Sequence, residues 1–165
     1  MSFEKILVAI DTSPLAAFVF EQAATLAERE NARCRVFHCI DSSRLSQYAP
    51  ILSLDTAEEK GQELLQLYQQ KASAWNISAD FSYGMGEPGQ AICDTSREWG
   101  ADLIVVGRRG HSGVAEMLIG SVSNYVVHHA PCSVLVIQGN ALNEEIAAAE
   151  HGSSFKTIKL SSPPP

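Results

Sequence analysis

Five short apolar runs, separated by stretches with helical spacing, constrain this chain more than any other feature. They are Lys5-Ile-Leu-Val-Ala-Ile10, Arg35-Val-Phe-His-Cys-Ile40, Ile77 to Tyr83, Asp102-Leu-Ile-Val-Val-Gly107 and Pro131-Cys-Ser-Val-Leu-Val-Ile137. The first is apolar almost without interruption, as a strand buried on both faces must be. The third alternates and belongs nearer an edge. Between the runs, Ala16, Phe20, Ala23 and Ala27 form one helical stripe. Ala57, Leu64, Leu65, Tyr68, Ala72 and Trp75 form another. Strands alternating with helices in this way predict an α/β fold, a parallel sheet covered on both faces.

Local punctuation sets the expected boundaries. Ser13 is positioned to cap a helix whose first residue is Pro14. Asp55 and Glu58 have capping-box spacing. Pro88 opens a helix with Ala91, Ile92 and Ser96 facing inward, and Gly100 stops it. Gly139-Asn140 breaks the pattern, so residues 1–139 are expected to form the domain. Residues 140–165 read as a C-terminal extension, helical over Leu142 to Glu150 and loose in Ser-Ser-Pro-Pro-Pro165.

Composition excludes several classes. A chain of 165 residues with 45% hydrophobic content can build one core. A net charge of -7 argues against nonspecific nucleic-acid binding, which needs a basic surface. No run approaches the roughly 18 apolar residues of a membrane helix, and no charged-then-apolar leader opens the sequence. A cytoplasmic protein is expected. Cys34, Cys39, Cys93 and Cys132 are dispersed without a C-x-x-C pair. The first two lie five apart in one strand and so point to opposite faces. All four read as small buried apolar residues in a reducing compartment.

Two glycine motifs compete as ligand sites. Gly84-Met-Gly86-Glu-Pro-Gly89 is a literal dinucleotide fingerprint, which would make the chain a nicotinamide binder. It follows the third strand rather than the first, and Pro88 removes an N–H donor. Asp102 stands at the wrong end of the next strand to hold a ribose. A helix-opening turn accounts for it better. The second motif is Gly107-x-x-Gly110, then Gly120-Ser121 with Ser123 close behind. Glycines admit a ligand to the backbone, and a helix N-terminus offers N–H groups to an anion. No P-loop lysine is present, so this is a different phosphate cradle.

Gly107-x2-Gly110-x9-Gly120-Ser121, followed by Asn124, His129-Ala-Pro131 and Val134-Leu-Val136, resembles the universal stress protein family, in its ATP-binding branch. Ile6 to Asp11 with Ser13, and Ala101 to Gly107, strengthen the likeness over residues 3–138. The resemblance implies a Rossmann-like, three-layer sandwich with strand order 3-2-1-4-5. Its ligand crevice would lie beyond the strands' carboxyl ends, lined by Asp11, Cys39, Val106 and Gly107. By the same resemblance, Ala9 and Cys39 would meet adenine through the main chain, and Asp11 and Gly107 the ribose. Gly110, Gly120, Ser121, Val122 and Ser123 would hold phosphates, with Asp11 helping to place Mg²⁺. Arg108 and Arg109 depart from the pattern as a basic pair; they read as solvated loop charges. A homodimer paired through Cys132 to Ile137 is also implied, covering an apolar edge.

His111 and Glu116 fall in the loop nearest the phosphates but show no positioned base, so at most slow ATP hydrolysis is expected. His38, His128 and His129 read as structural or exposed. The competing class is an interaction module of the same fold that acts through dimerisation with an empty crevice.

Overall fold

The computed structural model describes residues 2–43, 53–108 and 119–139. Among the described residues the elements run in the order β1 (Lys5–Ile10), α1 (Leu15–Glu30), β2 (Arg33–Asp41), α2 (Leu54–Ala74), β3 (Ala79–Gly86), α3 (Pro88–Trp99), β4 (Leu103–Gly107), α4 (Ser121–His129) and β5 (Ser133–Ile137). The strands form one sheet in the order β3-β2-β1-β4-β5, with every neighbouring pair parallel. This is the Rossmann-like three-layer arrangement expected.

The central strand shows why its run is continuously apolar. Ile6 and Val8 pack with Phe20 of α1 and Tyr68 of α2, while Leu7 faces the layer holding Ile92 of α3 and Val126 of α4. Cys34 belongs to the first of these clusters and Cys39 packs on the second, so they do face opposite ways. All four cysteines are free. No helix among the described residues is long and apolar enough to cross a membrane.

Three local expectations are corrected. Pro14 takes the cap position of α1 rather than its first turn, and no side chain caps that helix. Ser13 instead donates its N–H to Asp11 Oδ1 at 2.9 Å, because an aspartate two residues upstream closes an Asx turn. α2 is capped by Ser53, whose Oγ accepts from Thr56 N–H at 3.2 Å. Asp55 thereby falls inside the first turn, where its charge favours the helix dipole. β3 extends to Gly86, so the first two glycines of the literal fingerprint are strand residues at the sheet's edge. Glu87 then caps α3 by accepting from Gln90 N–H at 3.1 Å, with Pro88 at the first helical position. The fingerprint is a strand end and a helix cap, not a pyrophosphate turn.

At the amino edge of the sheet, Asp102 accepts from Glu4 N–H at 2.7 Å and Lys5 N–H at 3.1 Å. It staples β1 to β4 at the end away from any ligand. Residues 140–165, and with them the expected extension, lie outside the described residues.

Candidate functional site

The order of strands reverses at β1, whose neighbours are β2 and β4. Crossovers leave in opposite directions there, and a crevice must open beyond the carboxyl ends. One of about 460 Å³ does. It brings together Ala9 near the end of β1, Asp11 just after it, Cys39 near the end of β2, and Val106 with Gly107 at the end of β4. Ser121 and Val122 of α4 close its far side.

The start of α4 is built differently from the sequence expectation. Gly120 N–H donates to the Arg108 carbonyl at 2.7 Å. Ser123 is buried, and its hydroxyl donates to Arg108 O at 2.9 Å with Gly120 O at 3.1 Å. Neither Gly120 nor Ser123 lines the crevice; both tie the helix start to Arg108 at the end of β4. Arg108 N–H in turn donates to Ile137 O at 2.7 Å, extending the β4–β5 ladder by one residue. The first helical bond is Asn124 N–H to Gly120 O at 2.9 Å. The N–H groups of Ser121, Val122 and Ser123 therefore precede the helical ladder, which leaves them available to an anion. Gly110, Arg109, His111 and Glu116 lie outside the described residues.

The crevice also holds groups that sequence reasoning did not single out. Thr12 and Asp41 sit at or just past strand ends, where the rule that selected Asp11 could have found them, and His38, which the sequence reads as structural or exposed, lines the crevice as well. Lys60 of α2 and Glu87 of α3 gave no such signal, because their place depends on how the helices lie across the sheet. His38 is fixed by Nδ1, 3.0 Å from the carbonyl of Ile10. Burial, then the nearby Asp41 and Glu87 carboxylates, push the Cys39 thiol up to about 12. It is a neutral group, 3.7 Å from Ile40 O and 3.8 Å from Gly86 O.

This arrangement can hold a planar base and a sugar against main chain, with an anion at α4. Asp11, Asp41 and Glu87 outnumber Lys60 on its walls, so a polyanion would need a counter-ion. Among the described residues, no group of three or more His, Cys, Asp or Glu could hold a metal by itself.

The sequence model described as the universal stress protein family matches residues 2–138. The chain belongs to the universal stress protein family. A universal stress protein of Synechocystis is 39% identical over 153 residues, covering 84% of this chain and 99% of the relative. Among solved structures, universal stress protein UspA of Lactobacillus plantarum superposes with a TM-score of 0.73 at 28% identity, over 83% of this chain and 99% of the other. A universal stress protein in complex with cAMP shares the fold at TM-score 0.64 and 23% identity, over 85% and 100% of the two chains. An Arabidopsis thaliana member with AMP bound does so at 0.62 and 20%, over 84% and 93%.

Proposed function

We propose that this stress protein binds an adenine nucleotide, ATP or its lower phosphates, at the β1/β4 crevice and acts as a nucleotide-responsive dimer. The observation that carries the reading is the convergence of Ala9, Asp11, Cys39, Gly107, Ser121 and Val122 on one crevice. The cAMP and AMP held by two fold relatives support the same ligand class. The base would lie against the main chain of Ala9 and Cys39, the ribose beside Asp11 and Gly107. Phosphates would take the N–H groups at the start of α4.

Mg²⁺ fits as a companion of the nucleotide rather than a resident ion. A hard cation needs several oxygen ligands, and one carboxylate at Asp11 supplies too few without phosphate oxygens. When bound, it would neutralise the polyphosphate in an acidic crevice. The chain's own part is to orient the nucleotide, with at most slow hydrolysis.

The test is mass spectrometry of the protein as purified, followed by calorimetry with AMP, ADP and ATP with and without Mg²⁺. Carried-over adenine nucleotide, or saturable binding, is expected; failure of all three to bind overturns the reading.

A dimer interface at β5 has its own observation. β5 ends the sheet, and Leu135 is 37% exposed on it. An apolar edge strand is covered economically by the same strand of a second copy. Leu135→Asp is expected to shift sedimentation from dimer to monomer.

A further inference from the structure

Cys93 and Cys132 share one hydrophobic cluster on the α3 side of the sheet, outside the lining of the crevice. Cys93 is buried on α3; Cys132 is half-buried in the link between α4 and β5. Both pack on the cluster that contains Leu7 and Ile104. Their common neighbour is Ser96, fully buried, whose hydroxyl lies 3.4 Å from the Cys132 sulfur. Ser96 is three residues beyond Cys93 and so lies on the same helix face, with Cβ atoms about 5–6 Å apart. Burial is the main cause that raises the Cys93 thiol; Arg97 opposes it, and Asp94, Cys132 and Glu87 add to it.

We propose that Cys93 and Cys132 form a peroxide-responsive pair that closes an intramolecular disulfide between α3 and the foot of β5. Cys132 is the accessible member and reacts first. Its sulfur takes a hydroxyl from hydrogen peroxide and the second oxygen leaves as water. Cys93 then displaces that hydroxyl as a second water, and the S–S bond forms. Two thiols are oxidised and one peroxide is reduced, so atoms and electrons balance. Closing the bond requires Cys132 to exchange Ser96 for Cys93, about one turn back along the helix. The alternative partners are excluded by geometry. Cys34 lies across the sheet in the other core, and Cys39 stands at the carboxyl end of β2, its thiol beside Gly86.

The experiment treats the full chain with hydrogen peroxide, blocks remaining thiols with iodoacetamide, and digests without reductant. A linked peptide pair containing Cys93 and Cys132 is expected, with the intact mass lower by two hydrogen atoms and restored by dithiothreitol. Cys132→Ser should abolish the link and Cys34→Ser should leave it. Cys132 recovered as sulfinic acid beside an alkylated Cys93, a bridge between two chains, or no oxidation would each overturn the proposal. The wild-type digest decides the matter, whatever the folding of the variants.

Discussion

The Ser123 hydroxyl, in the first turn of α4, donates to the main-chain carbonyl of Arg108, one residue past β4, at 2.9 Å. That bond, with the 2.7 Å donation from Gly120 N–H to the same oxygen, fastens the helix start to the strand end across the intervening loop. Its consequence is a division of labour. The side chain of Ser123 ties the helix start to the strand end, and in the proposed function the helix's leading N–H groups are the ones that would meet phosphate.

Ser123→Ala therefore tests structure against binding. Loss of one buried hydrogen bond should lower stability in urea by about 1 kcal/mol. AMP affinity should fall only as far as the cradle loosens. A hydroxyl that acted on phosphate would give the opposite pattern, with weaker binding at unchanged stability.

Gly89 presents a contest of signs. Helix propensity alone would make Gly89→Ala stabilising by about 1 kcal/mol in α3. A Cβ there, however, would stand 2.8 Å from the Cβ and ring of Tyr125 on α4. Tyr125 cannot yield easily, since its ring stacks on His129 with centroids 4.1 Å apart. Overpacking of this kind costs roughly 1–3 kcal/mol, so the net effect should be destabilising. Thermal unfolding of the variant checks it; a raised midpoint would show that the helices can separate at little cost.

Much of the fold was legible because each layer leaves a periodic trace. β1 is bounded in the structure as its apolar run predicts, and Gly100 ends α3 with φ 70 in the left-handed region. Helix starts were less legible, since several oxygens compete for the same donors. The Ser13 carbonyl rather than its hydroxyl takes Ala16 N–H, and Ser53 takes Thr56 N–H with its hydroxyl and Ala57 N–H with its carbonyl, which puts Asp55 inside the helix. The crevice followed from strand ends, which the sequence marks, whereas Lys60 enters it from a helix whose placement the sequence does not encode locally. Gly89 looked like part of a nucleotide fingerprint because a glycine under an aromatic ring and a glycine under a phosphate leave the same letter.

Asp102 offers a test at the opposite end of the sheet. Its carboxylate satisfies the N–H groups of both Glu4 and Lys5. Asp102→Ala leaves those donors unpaired at the foot of β1, and charge-assisted bonds of this kind contribute about 1.5–3 kcal/mol each at most. A loss of about 2 kcal/mol in urea is expected, with the AMP dissociation constant unchanged because the crevice lies beyond the far strand ends. Equal loss of binding and stability would mean that the two ends of the sheet are coupled.

The buried thiols give the molecule an alkaline limit. Burial, reinforced by the Asp80 carboxylate, raises Cys34 from its ordinary 9.0 to about 12. Below pH 9 the thiol is protonated in both folded and unfolded chains, and its contribution is complete. Between pH 9 and 12 the unfolded chain releases the proton while the folded chain keeps it, so the folded state binds more protons and stability falls as pH rises. One thiol contributes at most about 1.4 kcal/mol per pH unit over that window. Urea midpoints should be flat from neutral pH to the onset and then decline. Cys34→Ala should begin lower, from lost packing, yet decline less steeply. Parallel declines in the two proteins would mean that Cys34 ionises as readily folded as unfolded.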